Sequence, residues 1–237
     1  MPPPFLPPSA LNPWLIDVFR QLIIERTGLD IKTQNQAALC KTIMARTRAT
    51  HQLIPENYYQ LLMEPTPKGD REWQQLMVLL TNPESFFFRD KGQLGVLQQQ
   101  ILPELLQRHH LDKKLRICSA GCSTGEEPYS IAILLKELIP DLPEWDLIVF
   151  GVDINPVSIQ KAQAGVYDPW SFRGVDESLW QTYFRRVNNQ FHIDPQLKKL
   201  VKFKRLNLVS DPLMLQAGEQ ANATLDLIIC RNVFIYF

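Results

Sequence analysis

A chain of 237 residues is long enough for one α/β domain of ordinary size together with a small helical one. Apolar residues make up 45% of it, which supports a packed core and argues against global disorder. Its 25 basic and 25 acidic side chains cancel, whereas proteins that live on nucleic acid usually carry a basic excess, so no nucleic-acid partner is expected.

The first residues, 1–12, are proline-rich and read as a flexible lead. They lack the basic start and unbroken apolar stretch of a signal peptide, and no apolar run elsewhere approaches a membrane span. The expectation is a cytoplasmic protein without direct membrane insertion. Residues 13–80 follow a helical pattern. Trp14, Leu15, Val18, Phe19, Leu22 and Ile23 recur at three- and four-residue spacing between a cap at Asn12 and a stop at Gly28. Further helices are predicted over 34–48, 55–62 and 70–80. Between Ile31 and Pro55 there is no acidic residue, yet Lys32, Lys41, Arg46 and Arg48 are present. This is either a solvated basic face or a docking surface for an acidic partner.

After a linker and connecting helix (81–114) the texture changes. Apolar runs at Leu115–Ala120 and Leu147–Ile154 alternate with helical patterns at Tyr129–Ile139 and Pro156–Ala164. That order predicts a parallel sheet with crossover helices, Rossmann-like in kind, over residues 115–237. Leu225–Cys230 reads as a further buried strand. Residues 183–204 alternate apolar and polar side chains around Asn188-Asn189 and read as a small antiparallel β insertion. The four cysteines are expected to be reduced thiols. Cys118 and Cys122 lack partners at metal-ligand spacing, so no metal is expected.

The chemistry concentrates in the turn Ser119-Ala120-Gly121-Cys122-Ser123-Thr124-Gly125-Glu126-Glu127-Pro128-Tyr129-Ser130, between the first parallel strand and its helix. Ligands of open α/β sheets bind beyond the C-terminal ends of the strands. Gly121 and Gly125 allow close backbone approach. Glu126 and Glu127 at the helix start would repel a pyrophosphate and welcome a cationic group, such as an α-amino group. Asp153, closing the second strand, is placed to accept hydrogen bonds from ribose hydroxyls; the next helix has a better cap in Asn155. Two more segments are unusual. Asn82-Pro83-Glu84-Ser85-Phe86-Phe87-Phe88-Arg89-Asp90 puts three aromatics in a linker. Cys230-Arg231-Asn232-Val233-Phe234-Ile235-Tyr236-Phe237 puts a polar pair at a strand's C-terminal end.

Taken together, Asn82–Arg89, Ser123–Ser130, Asn207-Leu208 and Cys230–Phe237 resemble the signatures of the CheR-type chemotaxis receptor methyltransferases. The first segment has one extra residue before Arg89, and Ser85 stands where the family has Thr. The resemblance implies a helical domain followed by a Rossmann-type methyltransferase domain with a β insertion. It implies S-adenosylmethionine as cofactor and a methyl-accepting chemoreceptor as partner, with glutamate carboxylates converted to methyl esters. Carried over by position, the cofactor contacts are Ser85, Arg89, Gly121, Glu126 or Glu127, Asp153, Asn207, Leu208, Arg231 and Asn232. Arg89 and Tyr236 are the candidates for orienting the acceptor carboxylate. The alternatives are a module that binds S-adenosylmethionine or a receptor with little activity, and a methyltransferase of small molecules or nucleic acid. Relatives of this type continue beyond the fourth strand, so the expectation is also that the sheet is cut short, with Leu225–Cys230 left as an apolar edge.

Overall fold

The computed structural model describes residues 11–213 and 224–237; most of the proline-rich lead lies outside them. The chain packs as two units. One takes the residues up to Asn82 together with Phe234–Phe237, and the other spans Pro83–Val233.

The first unit is helical: α1 (Pro13–Thr27), α2 (Gln36–Ala49), α3 (Pro55–Met63) and α4 (Pro67–Leu80). Local chemistry sets the ends. The Asn12 side chain accepts from the Trp14 amide at 3.0 Å, Pro13 occupies the first turn, and Gly28 closes α1 with φ 76°. Thr66 accepts from the Gly69 amide and starts α4 three residues ahead of the predicted 70. Phe19, Ile23, Leu39, Ile43, Leu62 and Leu76 are buried between the helices.

The basic stretch needs a correction. Arg46 is not a free docking residue. Its Nε and Nη2 each donate to Glu72 at 2.7 Å, and the buried Tyr58 hydroxyl donates to the same carboxylate at 2.8 Å. Glu72 comes from α4, 26 positions away, so sequence proximity gave no hint of the pair. Arg48 remains exposed.

The second unit opens with α5 (Lys91–Val96) and α6 (Leu102–Arg108), joined by a π-helical turn at Leu97–Ile101. The sheet strands are β1 (Lys114–Ala120), β2 (Asp146–Asp153), β6 (Val201–Arg205) and β7 (Leu227–Cys230), all parallel, in the order β6-β2-β1-β7. The crossovers include α7 (Glu126–Leu138), α8 (Pro156–Ala164) and α10 (Pro195–Leu200). Every residue of β1 after Lys114 is buried, as are Leu147–Val152 of β2, which explains their unbroken apolar character. The chain runs outward from β1 through β2 to β6 and then returns to the far side of β1 as β7. That reversal creates a switch point between β1 and β7, where parallel α/β sheets open a crevice.

A second, antiparallel sheet has the order β3-β5-β4, from β3 (Val166–Tyr167), β4 (Phe184–Val187) and β5 (Gln190–Ile193), with α9 (Glu177–Tyr183) before the hairpin. The boundaries expected for this insertion, 183–204, are corrected at both ends. Its first strand lies at 166–167, and Val201–Arg205 belongs to the main sheet. The alternation that suggested an antiparallel unit has another cause. As an edge strand, β6 turns Val201 and Phe203 toward the core and leaves Lys202 and Lys204 outside, where charge discourages edge pairing. β7 also departs from expectation. It begins at Leu227, and Ile228 is 54% exposed, so it is not buried on both faces.

Candidate active site

Because the four main strands are parallel, their C-terminal ends lie on one edge of the sheet, and Gly121, Asp153, Asn207 and Arg231 stand at or just after those ends. After β1 the chain bends over β2: the amides of Gly121 and Cys122 both donate to the Val152 carbonyl, at 2.8 and 2.9 Å. Gly121 has φ 73°, and a Cβ there would stand 2.2 Å from Val233 Cγ2, so the turn closes against the segment after β7 only with glycine. Gly125, at φ 93°, lets the start of α7 approach α8; a Cβ would lie 2.7 Å from Ala162 Cβ.

The two glutamates at the helix start have different fates. Successive helical residues point about 100° apart. Glu126 turns inward and is 1% exposed, where its carboxylate accepts from the Thr124 hydroxyl at 2.7 Å and the Ser171 hydroxyl at 3.2 Å. The expectation that Glu126 serves a ligand is corrected on that ground: it ties the turn to the segment before Arg173. Glu127 turns toward the strand ends. It accepts from Ser119 Oγ at 2.7 Å and from Arg231 Nη1 at 3.2 Å. Burial raises its pKa above the ordinary carboxylate value, and the Ser119 hydroxyl and the Arg231 guanidinium oppose that rise.

Asp153 stands at the end of β2. Its Oδ2 accepts from the Ser123 amide and its Oδ1 from the Asn155 amide, both at 2.8 Å. The carboxylate thereby fixes Ser123 in its left-handed conformation (φ 49°). Burial raises the Asp153 pKa as well, against the backbone amides that favour its ionised form. The cap of α8 is Asn155, which accepts from the Val157 and Ser158 amides, so Asp153 is not needed for that task.

A strap, Pro83–Asp90, runs along this edge. Ser123 Oγ donates to the Pro83 carbonyl at 2.9 Å, the Phe87 amide donates to the Ser171 carbonyl at 2.9 Å, and the Phe88 amide donates to Ser130 Oγ at 3.1 Å. Phe87 is the buried ring of the three aromatics, stacked on Phe172 at 4.9 Å and edge-on to Tyr167 and Phe184. Ser85, Phe86, Phe88 and Arg89 are half-buried. At the far end of the strap the Arg89 carbonyl accepts from Arg231 Nη2 at 2.6 Å. Arg231 therefore joins the end of β7, the strap and Glu127, and among the described residues its buried Nε has no hydrogen-bond partner.

After β6, Asn207 is buried and its side-chain oxygen accepts from the Val209 amide at 3.1 Å, while Leu208 is 38% exposed. After β7, Asn232 is exposed with φ 56°. Tyr236 falls in the helical unit, where its carbonyl accepts from the Asp30 amide at 2.7 Å. It is not among the residues that the second unit itself assembles. Cys118 and Cys122 are buried thiols; burial pushes Cys118 up to about 12 and Cys122 well above the usual thiol range, so both are unreactive. Sequence reasoning missed three residues. Ser119 lay inside the quoted motif with no role assigned, and Ser171 and Arg173 lie in a segment that offered no motif.

The donor set fits a nucleoside carrying positive charge. Two desolvated carboxylates, Glu127 at the start of α7 and Asp153 at the end of β2, and an unsatisfied donor of Arg231 just after β7 suit an ammonium group, vicinal hydroxyls and a carboxylate, while the turn lacks the lysine of a phosphate loop. A parallel α/β domain with this edge has the character of an S-adenosylmethionine-dependent methyltransferase. Comparison with known proteins agrees: residues 83–237 match the family described as "CheR methyltransferase, SAM binding domain". The chain is 34% identical over 176 residues to a "Probable chemotaxis protein methyltransferase" of Rhizobium etli, covering 73% of this chain and 63% of that protein. It is 30% identical over 220 residues to "Chemotaxis protein methyltransferase 2" of Vibrio cholerae, covering 92% and 74%. A "Probable biofilm formation methyltransferase WspC" of Pseudomonas aeruginosa is 34% identical over 221 residues, covering 93% and 50%. The chain belongs to the CheR methyltransferase family, and S-adenosylmethionine is its methyl donor.

Proposed function

We propose that this protein methylates glutamate carboxylates of a chemoreceptor-like protein, forming methyl esters. What supports the reading is the pairing of Glu127 with Arg231, which also holds the Arg89 carbonyl of the strap, together with Asp153 at the C-terminal end of β2 and bound to the turn after β1. The relatives named for chemotaxis supply the receptor side of the proposal.

The roles follow from the chemistry of each group. Glu127 takes the ammonium end of the donor and Asp153 its ribose hydroxyls. Arg231, already fixed by Glu127 and by the Arg89 carbonyl, has its free Nε for the donor's carboxylate. Gly121, Asn207, Leu208 and Asn232 supply backbone and side-chain contacts, and Ser85 lies on the strap above the turn. When bound, the donor supplies a methyl carbon made electrophilic by its sulfonium. A glutamate acceptor is ionised near neutral pH, since its reference pKa is about 4.3, so no general base is required of this chain. What the chain must do is hold the carboxylate in line and exclude water. Arg89 is the group proposed to orient it.

The test is transfer of labelled methyl to the cytoplasmic fragment of a chemoreceptor. Label that is lost in mild base supports the reading; label found only in RNA or in a small molecule overturns it.

A further inference from the structure

Arg89 is the strap's proposed carboxylate-orienting group, and two acidic residues of the strap lie close to it in sequence: Asp90, whose carboxylate stands 3.8 Å from Arg231 Nη2, and Glu84. Among the described residues Arg89 makes no ion pair within 4 Å, although the Glu127 carboxylate feels its charge. Its Nη1 donates instead to the Glu84 backbone carbonyl, at 3.3 Å. The Glu84 carboxylate is taken elsewhere: Arg173 Nη2 donates to its Oε1 at 3.0 Å. Arg173 is itself held firmly. Its Nη1 donates to the Trp170 carbonyl at 3.0 Å, and its guanidinium lies 3.9 Å from the centroid of Phe86 and 4.6 Å from that of Trp170. The Arg89 guanidinium lies over the same Phe86 ring, at 5.6 Å. Two arginines thus share one aromatic ring and one glutamate, and the glutamate's backbone and side chain are divided between them.

We infer that Arg173 is a positioning residue for the methyl transfer: by holding the Glu84 carboxylate, it keeps that anion off the Arg89 guanidinium, which stays available to an acceptor carboxylate. The physics is a competition between two cations for one anion. Without Arg173, a flexible glutamate five residues from Arg89 would find the nearest unpaired guanidinium, and an incoming carboxylate would have to displace it. The planar guanidinium suits the task because it stacks on Phe86 and Trp170 while its edge hydrogen-bonds, a combination that an ammonium does not reproduce. Three anchored points locate the device beside the active edge: Phe87 on Ser171, Ser171 on Glu126, and the Arg89 carbonyl on Arg231.

The inference rests on the proposed carboxylate acceptor, so its test has one arm that needs no acceptor. In that arm, protein with nitrogen-15-labelled arginine is followed by NMR. Glu84→Gln should leave the Arg89 Nε–Hε resonance nearly in place in the wild-type background and move it clearly in an Arg173→Met background, where Glu84 has turned to Arg89. A resonance equally indifferent to Glu84→Gln in both backgrounds overturns the inference. In the activity arm, Arg173→Met should lower kcat/KM for a chemoreceptor fragment roughly fivefold, the effect of one exposed ion pair, through KM for the fragment and with S-adenosylmethionine affinity unchanged. Adding Glu84→Gln should restore most of the loss, because the competing anion is gone. A double variant as impaired as Arg173→Met alone would mean that Arg173 serves only to hold the strap. Methionine keeps the packing on Phe86 and Trp170; should it still disturb the fold, Arg173→Lys keeps a charge for Glu84 without the stacked guanidinium edge and should show the same changes to a smaller degree in both arms. Failure of the wild-type protein to methylate any carboxylate, with the NMR result as expected, would count against the acceptor and not against the role of Arg173.

Discussion

Glu126 and Glu127 are adjacent and identical in chemistry, so they offer an internal control. Glu127→Gln keeps shape and one acceptor oxygen but removes the charge that meets Arg231 at 3.2 Å and, in our proposal, the donor's ammonium group. Hydrogen bonds to charged groups are worth about 1.5–3 kcal/mol. Taking about 2 kcal/mol, the dissociation constant for S-adenosylmethionine should rise roughly 30-fold. Glu126→Gln removes a carboxylate that is 1% exposed and, among the described residues, accepts from the Thr124 and Ser171 hydroxyls. It should cost on the order of 1–3 kcal/mol of stability and leave the affinity of the folded protein within about threefold of wild type. Calorimetric titration with S-adenosylmethionine gives the first quantity, and denaturant unfolding of the second unit gives the other. These assignments are refuted if the two variants exchange behaviours, or if Glu127→Gln binds as wild type while its circular dichroism shows an intact fold.

Burial raises the pKa of both Glu127 and Asp153, so each is protonated at a pH where an exposed carboxylate is already ionised. Affinity for the cationic donor should therefore weaken as pH falls through those raised values, starting above the usual carboxylate range; titration calorimetry against pH checks it, and Glu127→Gln should flatten the dependence. The sign for stability is opposite to that of a salt-bridged acid: folded-state pKa values above the unfolded ones make the ligand-free protein lose stability as pH rises through the interval between them, measurable by thermal melting. Gly121→Ala brings a Cβ to 2.2 Å from Val233 Cγ2 at a backbone φ of 73°, and should destabilise the second unit by at least about 1–2 kcal/mol in denaturant melts. Arg46→Met leaves the buried Glu72 carboxylate with only the Tyr58 hydroxyl, and should destabilise the helical unit by about 3–5 kcal/mol, whereas Arg48→Glu at an exposed position should change its melting little.

Much of the site was legible because its residues come directly after strands whose C-terminal ends share one edge. A run such as Leu115–Ala120 announces a buried parallel strand, and the residues just beyond it then have a place at the edge of the sheet. Gly121, Asp153 and Arg231 were found this way, and the order of the motifs added the family. The hidden part depends on contacts between distant segments. Arg46 looks like surface charge until Glu72 and Tyr58 close around it. Glu126 and Glu127 are indistinguishable on paper, because only the packing of α7 decides which faces the core. Val201–Arg205 alternates like a hairpin strand because an edge strand of a parallel sheet also has one dry and one wet side. Arg173 carries no motif at all, and its interest comes from sharing Phe86 and Glu84 with Arg89.

The most direct test of the proposed reaction locates the methyl group. A chemoreceptor cytoplasmic fragment incubated with the protein and isotopically labelled S-adenosylmethionine is digested, and its peptides are sequenced by mass spectrometry. The predicted result is label on glutamate side-chain carboxylates, released as methanol by mild base and strongly reduced when Arg89 is replaced by methionine. Label on nitrogen or sulfur atoms, or on carboxylates to the same extent without Arg89, would contradict it.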